Sequence, residues 1–336
     1  MNLLELTREL VKIDSTTPHE SRVSAFLEEQ LSQLMIPFPG EMERIEVDPG
    51  RWNVFAHWGE PVVTLSTHMD TVPPFVSFRE DEEFIWGRGA CDAKGIIASM
   101  IHAAESLLRE GVRSFGLLFV VGEERDSAGA IAAGKLARGS RYLINGEPTE
   151  NKLVRGSKGA LRYEVRTRGK TAHSAYPELG HSAIEDLLAC LNDIRRIPLA
   201  HDPLLGSSTL NIGILTGGCA PNVVPDFAAA ELMFRLVGDP AAVREGMRRA
   251  VAGRGECREV LYSEALKFQV LEGFRSTVVS FTTDIPFLRR TWGQPFLIGP
   301  GSIHVAHTQG ERIAKRELHA AVETYSTLVK MLLAGG

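Results

Sequence analysis

Residues Val62–Pro74 read VVTLSTHMDTVPP. From Val62 to Leu65 every residue is apolar or β-branched, and a short run of this kind predicts a strand buried on both faces. The run then breaks into His68, Met69 and Asp70 and stops at two prolines. The strand would thus end by presenting an imidazole and a carboxylate two residues apart, which packing alone does not require.

Outward from this stretch, helical and strand patterns alternate. Leu3 to Lys12, Glu20 to Leu34 and Lys94 to Glu110 carry apolar residues at helical spacing. Asn53 to His57, Phe115 to Val121 and Tyr142 to Asn145 read as strands, with a short helix at Ala128 to Leu136. This order predicts an α/β fold, a mainly parallel sheet with helices on both faces. From about Ser157 the pattern changes to period two in ALRYEVRTR, Ala160 to Arg168. Helices at Ser182 to Ile194 and Ala241 to Val251, with strands at Ser208 to Leu215, Phe227 to Val237 and Cys257 to Tyr262, predict a small α+β domain covered on one face. Beyond Leu266 come a strand at Phe296 to Ile298 and a helix from Glu311 to Leu333. The expected organisation is a large α/β domain, 1–156 and 266–336, interrupted by an inserted domain at 157–265.

Length and composition agree with two domains, since 336 residues exceed one comfortable core. The net charge of -5 and the lack of a Lys/Arg block argue against nucleic acid or an anionic membrane as partner. MNLLELTRELVKID at the start lacks the basic opening and apolar core of a secretion signal, and no apolar run is long enough for a membrane span. Cys91, Cys190, Cys219 and Cys257 are scattered without CxxC pairs, so neither a disulfide scaffold nor a thiolate metal site is expected, and a cytoplasmic location is.

In an open α/β sheet, sites form beyond the carboxyl ends of the strands. His68 and Asp70 follow the first buried strand, Asp92 precedes a helix, Glu123 and Glu124 follow FGLLFVV, Glu147 follows YLIN, and His304 and His307 follow PFLI and a glycine turn. Each alone has an ordinary reading: Asp92 as a helix cap, Glu123 and Glu124 as solvated charges, a histidine as a hydrogen-bonded strand end. Together they do not, because carboxylates gathered at one edge repel each other unless a cation offsets them. Imidazoles with carboxylates suit zinc or a similar ion, and the ligands outnumber the needs of one tetrahedral centre, which suggests a two-metal hydrolytic site.

The ordered motifs STHMDTVPP, GRGACDAKG, GEERDSAGA, GEPT, GKTAHSAYPELG, APNVVPD and GPGSIHVAHT resemble the acetylornithine deacetylase/succinyl-diaminopimelate desuccinylase family of co-catalytic zinc amidohydrolases and peptidases, across nearly the whole chain. The resemblance implies two Zn2+ ions, replaceable by Co2+. His68, Asp92 and Glu147 would hold one and Asp92, Glu124 and His307 the other, with Asp92 bridging. It makes Glu123 the general base that deprotonates a bridging water, and Asp70 the carboxylate that accepts the other N–H of His68. His304 would be a neighbour or substrate contact.

The inserted domain resembles the family's lid and dimerisation module, which implies a homodimer. His173 would steady the oxyanion in the partner's site, with Asn222, Arg235 and Asp284 as substrate contacts. Arg235 has an alternative reading as a solvated charge, and Asp284 as the cap of a helix beginning at Ile285. Lys94, Arg155 and Lys158 are candidate partners for a substrate α-carboxylate. Cys91, beside Asp92, reads as a small buried residue rather than a ligand.

The implied activity is hydrolysis of the amide of an N-acyl amino acid, with N-acetyl-ornithine, in arginine biosynthesis, as the leading substrate. Succinyl-diaminopimelate, an N-blocked lysine or a dipeptide are alternatives within the family. A non-catalytic module that kept the fold would be expected to have lost base or ligands, and here all are present. A nucleotide-binding protein would need GxGxxG or GxxxxGK[ST] after the first strand, and neither occurs.

Overall fold

The stretch from Val63 to His68 is a strand whose six residues are all buried. It lies between two parallel neighbours, Phe115–Val120 with His68 opposite Val120, and Tyr142–Asn145 with Ser66 opposite Asn145. The structure is a computed structural model describing residues 1–335. By contacts the chain divides into two units, one of Met1–Arg155, Phe268–Thr277 and Thr283–Gly336, the other of Gly156–Lys267 and Val278–Thr282.

In the first unit a six-stranded sheet runs in the spatial order Glu41–Asp48, Arg51–Trp58, Phe115–Val120, Val63–His68, Tyr142–Asn145, Gln294–Leu297. The last four are mutually parallel. The first two form an antiparallel extension at one edge. Both faces are covered, as continuous apolar strands require. Leu117 and Phe119 pack with the helices Leu3–Lys12, Gly95–Arg109 and Lys315–Ala334, while Leu118 and Val120 point to the other face, against Ala130, Leu288 and Trp292. Burying each such side chain contributes about 1.5–3 kcal/mol.

Two elements differ from the sequence reading. Glu41–Asp48 is an edge strand with only Ile45 buried, and its string of charges concealed the pattern while protecting the edge from mispairing. The terminal helix begins at Lys315, not Glu311. Arg312–Ala314 is instead a strand paired with Phe84–Trp86, and Glu311 is a buried carboxylate.

The second unit is a four-stranded antiparallel sheet in the order Thr209–Gly217, Phe227–Leu236, Gly159–Arg168, Gly255–Ser263. The helices Ala183–Ile194 and Ala241–Val251 bury one face through Leu187, Leu191, Val243 and Met247 against Leu161, Val165, Leu232 and Phe234. The opposite face carries charges, with Glu164 paired to Arg166 and Arg258, and Arg162 to Glu231. The period-two alternation of Gly159–Arg168 is this one-sided burial. Among the described residues no helix is long and apolar enough to cross a membrane.

Candidate metal centre

Because four strands of the first unit run parallel, their carboxyl ends share one edge, and the loops leaving them converge there. Strand Val63–His68 ends in His68 itself, with its side chain buried. Glu123 and Glu124 follow Phe115–Val120, Glu147 follows Tyr142–Asn145, and His307 lies in the loop beyond Gln294–Leu297. Asp92 comes from the turn before helix Gly95–Arg109, which carries the chain over from one parallel strand to the next.

The centre is organised about Asp92, whose two carboxylate oxygens face different imidazoles. Oδ1 lies 3.0 Å from His68 Nε2 and Oδ2 lies 3.4 Å from His307 Nε2. His307 Nε2 is also 2.9 Å from Glu124 Oε1. Ligand atoms of His68, Asp92 and Glu124 all lie within 4.8 Å of one another. Glu147 is buried, and its Oε1 has no hydrogen-bond partner.

This arrangement is costly for the protein alone. Burial pushes the carboxyls of Glu123 and Glu147 well above the usual carboxylate range, and each acidic neighbour adds to the shift. Glu124 is raised by burial too, against the pull of its hydrogen bond with His307. Burial opposes ionisation of Asp92 as well, yet hydrogen bonds from His307 and His68 hold its pKa below the ordinary value. Those same contacts, to Asp92 and Glu124, lift His307 to about 10. An anionic pocket lined by imidazole and carboxylate donors, with one buried oxygen unpartnered, fits a divalent transition ion.

Asp70 meets the Nδ1 side of His68 through both its backbone and its carboxylate. His68 Nδ1 lies 3.1 Å from the backbone carbonyl oxygen of Asp70, and 3.6 Å from carboxylate Oδ1. With Nδ1 held at the Asp70 side, Nε2 is the ring nitrogen that faces the centre, donating to Asp92 here and able to ligate an ion once that proton is released. The Asp70 carboxylate also accepts the backbone N–H of Glu123 at 3.0 Å and of Glu124 at 3.1 Å, and the Thr17 hydroxyl at 2.6 Å.

Asp284 is buried in the same unit, and its charge acts on both Glu123 and Glu147. It occupies the N-cap position before helix Ile285–Leu288, but its side chain makes no capping hydrogen bond, and the N–H of Ile285 donates to Thr283 Oγ1 at 3.2 Å. Burial raises its carboxyl to about 7. His304 is exposed, and its backbone N–H meets Ser302 Oγ at 3.4 Å. Cys91 is fully buried with its thiol 3.4 Å from the Ser302 carbonyl oxygen. Gly301, at φ +82°, passes so close that a Cβ there would lie 2.5 Å from Cys91 Sγ.

His173, Asn222 and Arg235 belong to the second unit. His173 and Asn222 share one exposed loop pair, joined by a bridge from His173 to Val223 and a bond from Ser174 N–H to the Asn222 carbonyl oxygen at 3.0 Å. Arg235 donates to Thr282 Oγ1 at 3.4 Å. Of the cations expected near a substrate carboxylate, Lys94 is withdrawn. Its side chain is fully buried, and Nζ donates to the Ile13 carbonyl oxygen at 2.5 Å. Lys158 Nζ donates to the Ser207 carbonyl oxygen at 2.6 Å, and Arg155 is exposed on strand Leu153–Ser157.

Three further residues support the site, and none carries a local signal in the sequence. Thr17 holds Asp70, while Arg88 and Glu311 form a buried ion pair at 2.5 Å beneath the Asp92 turn. Arg88 lies within the GRGACDAKG motif but offers no chemistry by itself, and Glu311 looked like an ordinary helix start.

The sequence pattern of Peptidase family M20/M25/M40 matches residues 64–331. A Schizosaccharomyces pombe protein named as Peptidase M20 domain-containing is 37% identical over 339 residues, covering 98% of this chain and 84% of its own. A probable carboxypeptidase of Aspergillus terreus is 38% identical over 371 residues, covering 97% and 86%. Among solved structures, a tripeptidase from Staphylococcus aureus superposes with a TM-score of 0.79 at 22% identity over 98% of each chain, a likeness of fold.

Proposed function

This chain belongs to peptidase family M20/M25/M40, metal-dependent enzymes that hydrolyse amide bonds, and we propose that it binds two zinc ions and cleaves an amide whose nitrogen belongs to an amino acid with a free α-carboxylate. The single observation that carries this reading is the Asp92 carboxylate with an imidazole on each of its oxygens, at 3.0 and 3.4 Å. In it, His68, Asp92 and Glu147 hold one ion and Asp92, Glu124 and His307 the other. Cobalt is expected to substitute.

Bound zinc would acidify water and polarise the scissile carbonyl. The chain's own part is proton handling and orientation. Glu123 takes the proton of the attacking water and returns it to the departing amine. Its burial among acidic neighbours favours a carboxyl able to hold that proton. Asp70 fixes Glu123 by its backbone. Asp284, a buried carboxyl, is a further candidate contact for a polar group of the substrate. Asn222 and Arg235 take the substrate's polar ends, and His173 steadies the oxyanion across a homodimer.

A homodimer is supported by strand Thr209–Gly217, which lies at the edge of its sheet with Ile214 and Leu215 exposed. The four free cysteines suit a reducing cytoplasm.

Two substrate classes share this chemistry: a small N-acyl amino acid, with N-acetyl-ornithine first, and a peptide losing its C-terminal residue. The names of the fungal relatives favour the second. A panel of N-acetyl-ornithine, N-succinyl-diaminopimelate, an N-blocked lysine, an N-blocked dipeptide and a free dipeptide, each with and without chelator, tests both. Turnover only of the N-blocked and free dipeptides selects the peptidase, and turnover only of the N-acyl amino acids selects the deacylase. Undiminished turnover after complete metal removal would sink both.

A further inference from the structure

We propose that the buried Arg88–Glu311 pair is a positioning device for the metal centre, clamping into one register the turn that carries Asp92, the loop that follows His68 and the loop that carries His307. This rests on the two-metal reading above. Both residues are 1% exposed, and their side chains meet at 2.5 Å between Nη1 and Oε2.

What distinguishes the pair is where its remaining hydrogen bonds land. Glu311 Oε1 accepts three backbone N–H groups of the bridging turn, from Gly89 at 2.9 Å, Cys91 at 3.3 Å and Asp92 itself at 3.2 Å. The other side of the pair reaches the remaining loops. Arg88 Nε donates to the Pro74 carbonyl oxygen at 3.2 Å, in the turn six residues beyond His68. Its Nη1 also donates to the Thr308 carbonyl oxygen at 3.3 Å, in the residue next to His307. His307 has φ +63°, a left-handed conformation that a histidine adopts only where its surroundings hold it.

An ion pair kept for stability alone would need no such pattern. Replacing a buried pair by apolar residues of similar size is often neutral or stabilising. Here one carboxylate gathers the donors of the Asp92 turn, and one planar guanidinium spans the loops on either side. That geometry needs the fork of an arginine, and a lysine in its place would keep the charge while losing the reach. Neither residue touches the centre. Glu311 acts through the backbone of Asp92, and Arg88 through the chain that follows His68 and His307.

The test titrates zinc alone into the full-length wild-type chain, Arg88→Lys, Glu311→Gln and the paired apolar replacement Arg88→Met with Glu311→Met. Chelator competition reads affinity, thermal unfolding reads stability, and kcat and KM are measured on whichever panel substrate the wild type cleaves. Positioning predicts that each single variant loses about 10- to 100-fold in zinc affinity, with a comparable fall in kcat and little change in KM. The paired replacement should recover the thermal midpoint without recovering zinc affinity, which keeps the test decisive if a single variant fails to fold. Folded single variants with wild-type zinc affinity and kcat would overturn the proposal, as would a paired replacement that restores affinity together with stability. A wild type that binds no zinc overturns the two-metal reading and this role with it. Wild-type binding beside unaltered variants overturns the clamp alone.

Discussion

Oδ1 of Asp70 accepts the backbone N–H of Glu123 at 3.0 Å, joining the end of one parallel strand to the loop that leaves its neighbour. The same carboxylate holds Glu124 through Oδ2 at 3.1 Å. Asp70 therefore fixes the proposed base and a proposed ligand together. Asp70→Asn puts an N–H donor where one of those backbone donors now points, so the Glu123–Glu124 turn must shift. We expect kcat to fall by about 10- to 100-fold with KM nearly unchanged. A variant with wild-type kcat would remove Asp70 from this role.

Glu123→Gln keeps size and removes the proton acceptor. Activity should drop by about 10²- to 10⁴-fold, while zinc content measured by elemental analysis stays that of the wild type. Loss of zinc along with activity would show instead that Glu123 is a ligand.

Chelation should abolish turnover, and zinc or cobalt should restore it. Because the ions relieve repulsion among Glu123, Glu124 and Glu147, metal removal should also lower the thermal midpoint. With free zinc at one hundred times its Kd the stabilisation is about 2.7 kcal/mol. A midpoint that ignores chelator argues against a cation at this edge.

If His173 serves the partner's site, two inactive chains can rescue each other. Co-expressed His173→Ala and Glu123→Gln subunits should assemble mixed dimers in which one site combines an intact base with an intact histidine. Random pairing gives about a quarter of wild-type activity. No recovery in verified mixed dimers places His173 in its own chain's site.

The sheet and its chemical edge were legible in the sequence because burial on both faces leaves a strong trace. Val62–Leu65 is a run of apolar or β-branched residues and Phe115–Val120 a continuous apolar one, and polar residues directly after such runs have nowhere to go but the crevice. What was not legible depends on long-range pairing. Glu41–Asp48 is a strand only because Arg51–Trp58 offers its free edge, and Glu311 is buried only because Arg88, more than two hundred residues earlier, meets it. Lys94 looked like a solvent-facing cation until the Ile13 carbonyl oxygen claimed its ammonium. A charge at the start of a helix carries no local sign of which side it will face.

Gly146, between strand Tyr142–Asn145 and Glu147, has no room for a side chain. A Cβ would sit 2.5 Å from both Ile96 Cγ2 and Met100 Cε, and 3.1 Å from the Tyr325 hydroxyl. Gly146→Ala should destabilise the protein by about 1–3 kcal/mol, read from the denaturant midpoint. It should also shift Glu147 enough to weaken zinc binding. An unchanged midpoint would mean that helix Gly95–Arg109 yields more readily than its packing indicates.

Glu80 gives a pH prediction remote from the metal centre. Its carboxylate takes Arg8 Nε at 2.6 Å and Lys315 Nζ at 2.6 Å, tying the first helix to the start of the last. Hydrogen bonding to Arg8, working against burial and seconded by Lys315, holds its pKa at about 2, below the ordinary 4.5. A depressed carboxyl pKa means that the unfolded chain takes up the proton first. The stabilisation is therefore full above about pH 4.5 and disappears as pH falls toward 2. Both cations are partly solvated, so its size is about 1 kcal/mol. Glu80→Gln should lower the thermal midpoint at pH 7, and the gap to wild type should close as pH is brought from 5 to 2. A gap that stays constant across that range would mean that Glu80 acts through packing and not through its charge.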